Sequence, residues 1–310
     1  MTQAVKPKAK RRNKEGFKYF LFILPGLLLV LLFSYKPITG WIYAFTDYKP
    51  GMSWERVNYV GMKNFTKMFA NPALRAQVAQ VMVNTFAMVG LNQLNGPLAM
   101  AFAIFLSEMN SKRCQRVVQT LTTLPHFISW VIMYSMVYFM LSTSGFVNTI
   151  LKNLGLIQQP FNFLATADNT YLKMFFYGTW KGLGWSAIVY LAAIAGIDQE
   201  QYEAAMIDGA NRFQRIWHIT VPGLLPTYFV LFIMGIGNFL NTGMEQYYVF
   251  QNAMNKEYIQ VLDLYVYNQG ISQGNIPYAT AVGMLKSIGA LVLFIAANTV
   301  SKAIRGSSVF

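Results

Sequence analysis

Six apolar segments, each long enough to cross a bilayer, limit what this chain can fold into. A helix needs ~20 mostly apolar residues to span the hydrocarbon. The segments run at about Tyr19–Phe45, Val81–Leu106, Val117–Leu141, Tyr171–Ile197, Val221–Phe250 and Tyr278–Ala303. No water is available in lipid to pair a free N–H or C=O, so each segment is read as a helix. The predicted fold class is therefore all-α: a polytopic membrane bundle of six transmembrane helices. The sequence divides into a basic tail at 1–18, a membrane domain at 19–304 and a short tail at 305–310. It carries no separate soluble domain, no low-complexity linker and no clear internal repeat.

Composition agrees with that reading. Apolar residues make up 55% of the 310 positions and charged residues 12%, where soluble domains carry about 25% charged. The formal charge of +13 does not point to nucleic acid, because Lys and Arg gather at the ends of apolar segments. Counting them sets the orientation. With the N-terminus cytoplasmic, fourteen basic residues fall on that side. They are the seven of the tail (Lys6 to Lys18), Lys112, Arg113, Arg116, Arg212, Arg215, Lys302 and Arg305. Seven fall outside, from Lys49 to Lys256, in longer loops. Both termini are expected in the cytoplasm of a bacterial cell whose plasma membrane the chain crosses. The first apolar run is long, closes on no small-residue cleavage site and precedes more spans, so it reads as a retained helix rather than a signal peptide. The loop from Asp47 to Gln80 is polar enough to carry a short surface helix. Cys114, the single cysteine, makes no internal disulfide and belongs to no metal-ligand cluster.

One loop, 198–222, is unusually informative. Asp198 is a good N-cap for the helix formers that follow it. Gly209 can take the left-handed conformation that ends a helix. A second short helix at about Asn211–Thr220 is expected next, with Pro222 in the first turn of the fifth span. The pattern is Glu203-Ala204-Ala205, three residues, Gly209, nine residues, then Ile219-Thr220-Val221-Pro222. It resembles the EAA loop of permeases of ATP-binding cassette (ABC) importers. Asp208, Ala210 and Phe213 extend the likeness to the carbohydrate-uptake branch that includes maltose and glycerol-3-phosphate permeases. The stretches Leu124–Trp130, Gly184–Ala193, Ile216–Thr220 and Ala279–Ser287 are similar to the polysaccharide- and lipoprotein-type members of that branch.

The resemblance implies a type I ABC importer permease fold with a cytoplasmic EAA coupling helix. It implies a second, homologous permease, an ATPase dimer, an extracellular solute-binding protein (often a lipoprotein) and a carbohydrate substrate. Glu203, Ala204, Ala205, Asp208, Gly209 and Ala210 would couple the chain to the ATPase. No GxxxxGK[ST] phosphate loop occurs in the sequence, so ATP and magnesium belong on the partner. The chain itself is expected to be no enzyme and to hold no cofactor and no metal.

Substrate-path candidates follow from residue type and spacing. Thr179, Gly182 and Trp185 are spaced i, i+3, i+6 on the fourth span, where a flat ring beside a glycine notch suits a sugar. Asn238 and Asn241 are expected one turn apart on the fifth span, where amides both donate to and accept from hydroxyls. The plainer alternative makes Trp185 a core or interfacial anchor and the asparagines bridges between helices. Charges inside spans are costly and therefore informative. Lys36 and Lys173 can snorkel. Lys181 and Lys286 lie deeper, with Glu245 available to pair with one of them, or they favour an acidic oligosaccharide. His126 and His218 read as structural. An ion-coupled transporter needs an acidic or histidine relay, for which Glu245 alone is available. An intramembrane enzyme needs a nucleophile and base, and no such pair is visible. Within the ABC class the alternative solutes are a phosphorylated polyol or a peptide.

Overall fold

The computed structural model describes residues 12–305, with side chains at 16–299. Positions 1–11, with Lys6, Lys8, Lys10 and Arg11 of the basic tail, and 306–310 lie outside the described residues. The described chain is helical and has no β-strand beyond one antiparallel bridge, Thr46 to Tyr59.

Helix α1 (Arg12–Val30) begins inside the basic tail. It continues through a π-helical turn, Leu31–Tyr35, into a 3-10 helix at Lys36–Phe45. Its apolar side chains from Phe17 to Phe33 are exposed all round, as a helix bathed in lipid requires. The polar loop that follows carries the expected surface helix, α2 (Lys63–Ala70), with Phe65 and Met68 turned inward. There Asn58 donates side-chain and backbone hydrogen bonds to Asp47, which hold its carboxyl below the usual carboxylate range.

Asn71 caps α3 (Pro72–Asn92) by accepting from the amides of Ala73 and Leu74. After a break at Gln93–Leu94 the path resumes as α4 (Asn95–Ser107). Helices α5 (Lys112–Thr123) and α6 (Trp130–Leu141) follow, then α7 (Phe146–Asn153) and the 26-residue α8 (Thr170–Ala195). The chain turns through α9 (Gln199–Ile207) and α10 (Arg212–Arg215) into α11 (Val221–Gly237). Short helices α12 (Glu245–Phe250), α13 (Lys256–Ile259) and α14 (Leu262–Tyr267) lead to the last, α15 (Ile276–Arg305).

Five stretches are long and apolar enough to cross a membrane: Gly16–Phe45, Pro72–Ser107, Trp130–Asn153, Arg212–Gly237 and Ile276–Thr299. A sixth is reached when α8 is taken with α9 across a 70° bend. Two of the six expected spans differ in detail. The third is not continuous over Val117–Leu141, because Pro125 and a 3-10 turn at Leu124–Phe127 break it, and the apolar stretch starts at Trp130. Proline lacks the N–H that would continue the helix. The fifth does not reach Phe250 as a helix, since α11 stops at Gly237 and resumes only as α12.

Buried amides tie these pieces together. Asn84 on α3 is fully buried and donates to the carbonyls of Glu257 and Gln260 at 2.7 and 3.1 Å. Its carbonyl oxygen accepts from Tyr171 on α8 and from Gln80. A buried amide of this kind is tolerated because its capacity is met.

Candidate functional site

The loop 198–222 forms as its residues dictate. The Asp198 carboxylate accepts from the amide of Glu200 and starts α9, which carries Glu203, Ala204 and Ala205. Asp208 is the C-cap, and Gly209 sits at φ +79°, a backbone that favours glycine. Ala210 donates to the carbonyl of Ala205 at 2.8 Å, closing the turn. Asn211 and Gln214 form a reciprocal capping box. The expected second helix does not stand apart: α10 runs through a π-turn at Ile216–Thr220 into α11, one 26-residue path from Arg212 to Gly237. Pro222 lies in the first turn of α11, directly after the π-turn at Ile216–Thr220, the widened turn that accommodates a residue without an N–H inside the continuous path. Arg212 forms an ion pair with Glu108 and also donates to its carbonyl, tying the loop to the end of α4. His218 Nδ1 contacts the Gln214 carbonyl at 2.9 Å, and Cys114 is exposed.

The break at Gln93, α4, α8 and α11 line an open cavity of about 290 Å3. Its polar wall is Gln93, Asn95, Ser186 and Tyr190, and its aromatic wall is Trp185, Tyr228 and Phe232. Tyr190 is 1% exposed, and its hydroxyl has no hydrogen-bond partner among the described residues. A buried hydroxyl left unpaired costs about 1–3 kcal/mol, and this one, sealed from solvent, is paired only if the surrounding packing shifts.

The sequence candidates divide around this cavity. Trp185 lines it and is 46% exposed. Gly182 faces open space, with nothing within 4 Å of where a Cβ would lie. Thr179 donates to Asn95 Oδ1 at 2.6 Å and so orients that amide at the cavity edge. Asn238 and Asn241 are not one helical turn apart on a span. Asn238 is the C-cap of α11, and the Asn241 amide closes a turn onto its carbonyl at 2.8 Å. Neither lines the cavity. Gln93 and Asn95 were missed because they sit at a helix break, which apolar periodicity does not mark.

The buried charges also differ from expectation. Glu245 pairs with neither lysine. Lys286 on α15 pairs with Asp263 on α14, a residue the sequence reading did not nominate. Asp263 accepts in addition from the Gly243 amide and from Thr242, so the pair holds the loop after α11. Lys181 donates to backbone carbonyls at the break between α5 and α6. Among the described residues no group of His, Cys, Asp and Glu is placed to hold a metal ion.

Comparison with known proteins places this architecture. Residues 95–306 match the family model described as "Binding-protein-dependent transport system inner membrane component". The chain belongs to this family. Among curated relatives, Protein LplB of Bacillus subtilis (strain 168) is 38% identical over 91% of this permease and 88% of its own length. The polygalacturonan/rhamnogalacturonan transport system permease protein YteP of the same strain is 36% identical over 91% of this chain and 87% of its own. A solved bacterial alginate ABC transporter, in complex with its alginate pentasaccharide-bound periplasmic protein, contains a chain with the same fold. The TM-score is 0.85 at 32% identity, over 97% of this permease and 100% of that chain. The all-helical membrane fold read from the sequence is therefore the fold of an ABC importer permease.

Proposed function

We propose that this permease forms, with a second homologous permease, the membrane pathway of an ATP-driven importer for oligosaccharides. The observation that carries the reading is the cavity lined by the amides of Gln93 and Asn95, the Ser186 hydroxyl and the rings of Trp185, Tyr228 and Phe232. Aromatic faces beside amides and a hydroxyl suit a ligand rich in hydroxyls, each of which donates and accepts. The relatives named for polygalacturonan and alginate transport support the same substrate class.

Two helices of that cavity end on the loop 198–222. Helix α8 meets α9 at the 70° bend, and α11 continues from α10 without interruption. Glu203, Ala204, Ala205, Asp208, Gly209 and Ala210 then form the surface that seats in an ATPase dimer, where ATP and magnesium are bound. An extracellular binding protein delivers the sugar. The chain alternates between inward- and outward-open states, and nucleotide on the partner shifts their populations. Arg212 pairs with Glu108, and Lys112 and Arg215 line one pocket beside the same Glu108, so basic residues of α5 and of the loop come together. Basic density there supports a cytoplasmic face for the loop, and hence cytoplasmic termini.

The test uses the whole importer in proteoliposomes with its binding protein. Labelled oligogalacturonides, neutral glucan oligosaccharides, glycerol phosphate and peptides are offered in turn. Uptake of one of the oligosaccharides, and of neither other solute, is the expected result. Trp185→Ala should lower it several-fold, unequally between oligosaccharides, as losing about 0.5–1.5 kcal/mol of contact would. Gly209→Val and Glu203→Lys should cut uptake while the binding protein keeps its affinity. Wild-type uptake in both coupling variants, or preferred uptake of the non-sugar solutes, would sink the assignment.

A further inference from the structure

We infer that Lys181 is a positioning residue for substrate recognition: its ammonium group caps the broken segment 124–128 and thereby fixes the His126–Trp185 platform. The inference rests on the reading of the Trp185 cavity as the substrate path.

The break at Pro125 releases carbonyls that a continuous helix would have paired. Within a membrane such groups need partners from neighbouring elements. Lys181, reaching across from α8, donates to the carbonyls of Pro125 at 3.2 Å, His126 at 2.9 Å and Ile128. An ammonium has three N–H donors and no acceptor. Three carbonyls use all three, so backbone dipoles hold the charge at hydrogen-bond distance, and the Glu245 carboxylate acts on it from farther off. The same nitrogen lies 5.3 Å from the centre of the Trp130 ring, at the start of α6, which adds a cation–π contact.

A second clamp lies one turn along. Lys181, Gly184 and Trp185 are spaced i, i+3, i+4 and so project on one side of α8. Gly184 lets the end of α5 approach so closely that a Cβ there would sit 2.3 Å from the Thr122 carbonyl oxygen. Between the two clamps the segment has little freedom, and its side chains are aimed. The His126 ring lies parallel to Trp185, with centroids 4.5 Å apart and planes inclined by 1°. Phe127 meets the same indole edge-on at 5.7 Å and 87°. Trp185 is thus backed on one side by His126 and Phe127, and it lines the cavity wall beside Ser186.

Two consequences follow. Lys181 spends its three donors on the backbone and has none left to hydrogen-bond a substrate carboxylate. Its loss should instead loosen the platform and weaken sugar binding, with the turnover machinery left in place.

The experiment uses the reconstituted importer in a Cys114→Ser background, with the oligosaccharide that the uptake panel selects. Lys181→Met removes the donors and keeps the apolar stem, and Lys181→Gln is a second variant should the first fail to assemble. Labelling of Phe127→Cys by a methanethiosulfonate reagent reads the order of the segment. Either Lys181 variant should label several-fold faster. Its KM for uptake should rise roughly three- to tenfold, as expected when a binding group loses its ordering, with the maximal rate nearly unchanged. Trp185→Ala should raise KM at least as much, since it removes the platform itself. The double variant should be no worse than Trp185→Ala alone, because both remove the same platform. Wild-type labelling in a Lys181 variant, or KM effects that multiply, would overturn the inference. A wild-type KM in Trp185→Ala would instead sink the substrate-path reading, whatever the labelling reports.

Discussion

A methyl group added at Gly184 would lie 2.3 Å from a backbone oxygen, whereas one added at Gly182 would meet nothing within 4 Å. A single residue, Leu183, separates these glycines on α8, yet they do opposite things. Gly184 is where α5 and α8 touch, and the atom it must clear is a main-chain carbonyl that no rotamer change can move. Gly182 is where α8 leaves space. Gly184→Ala is therefore expected to force the helices apart and destabilise the complex by about 1–3 kcal/mol, the usual cost of overpacking. Gly182→Leu should leave the melting temperature of the purified importer within error and obstruct uptake instead. Thermal unfolding and transport assays on the two variants check both halves. A stable Gly184→Ala complex with full uptake would show that the close approach is not required.

At the scale of elements, the loop 198–222, proposed above as the coupling surface, is tied to the end of α4 at an exposed point, where Arg212 meets Glu108. Their side chains are 50% and 30% accessible, so water screens the pair. Surface pairs contribute about 0–1 kcal/mol, so its loss should not unfold the chain. Its role is to connect the α4–α5 junction to the path that becomes α11. Arg212→Glu is expected to lower uptake about twofold at unchanged assembly, in line with that small energy, and to raise ATP hydrolysed per sugar. The exchange Glu108→Arg with Arg212→Glu should recover part of the loss. Failure of the exchange to improve on the single variant would remove the pair from coupling. The elements of this loop were legible in the sequence, because caps and a turn glycine act locally: Asp198, Gly209, Asn211 and Pro222 each set the backbone within a few residues. The breaks in the third and fifth apolar segments had local signals that apolar run length overrode: Pro125 in one, and the polar stretch from Asn238 to Gln246 in the other. What stabilises the breaks comes from far along the chain and was not legible. Lys181 reaches back more than fifty residues to cap one, and Asp263 holds the other from twenty residues ahead. The same holds for the cavity. Trp185 was nominated from its neighbours on α8, while Gln93 and Asn95 join it only through packing of α4 on α8.

At the scale of the molecule, the walls of the cavity and the coupling loop are made from the same two helices. Trp185, Ser186 and Tyr190 lie on α8, which bends 70° into α9, while Tyr228 and Phe232 lie on α11, which is continuous with α10. A displacement of α9 therefore acts on both walls at once. Nothing in the sequence supplies the displacement, since no phosphate-binding loop is present. A two-state equilibrium shifts only by the differential affinity of something that binds, and in the proposed importer that is nucleotide on another subunit. Much of α1 and many outward side chains of α6 and α8 are apolar and exposed, surfaces suited to lipid and to a second permease. The chain is accordingly expected to purify stably with a second permease and an ATPase dimer, and poorly by itself. In proteoliposomes the full complex should import sugar when ATP and the binding protein are both supplied. The chain alone, at equal density, should give no accumulation under ATP, a proton gradient or a sodium gradient. Accumulation by the chain without any ATPase would mean that the coupling loop is not where energy enters, and the importer reading would fall with it.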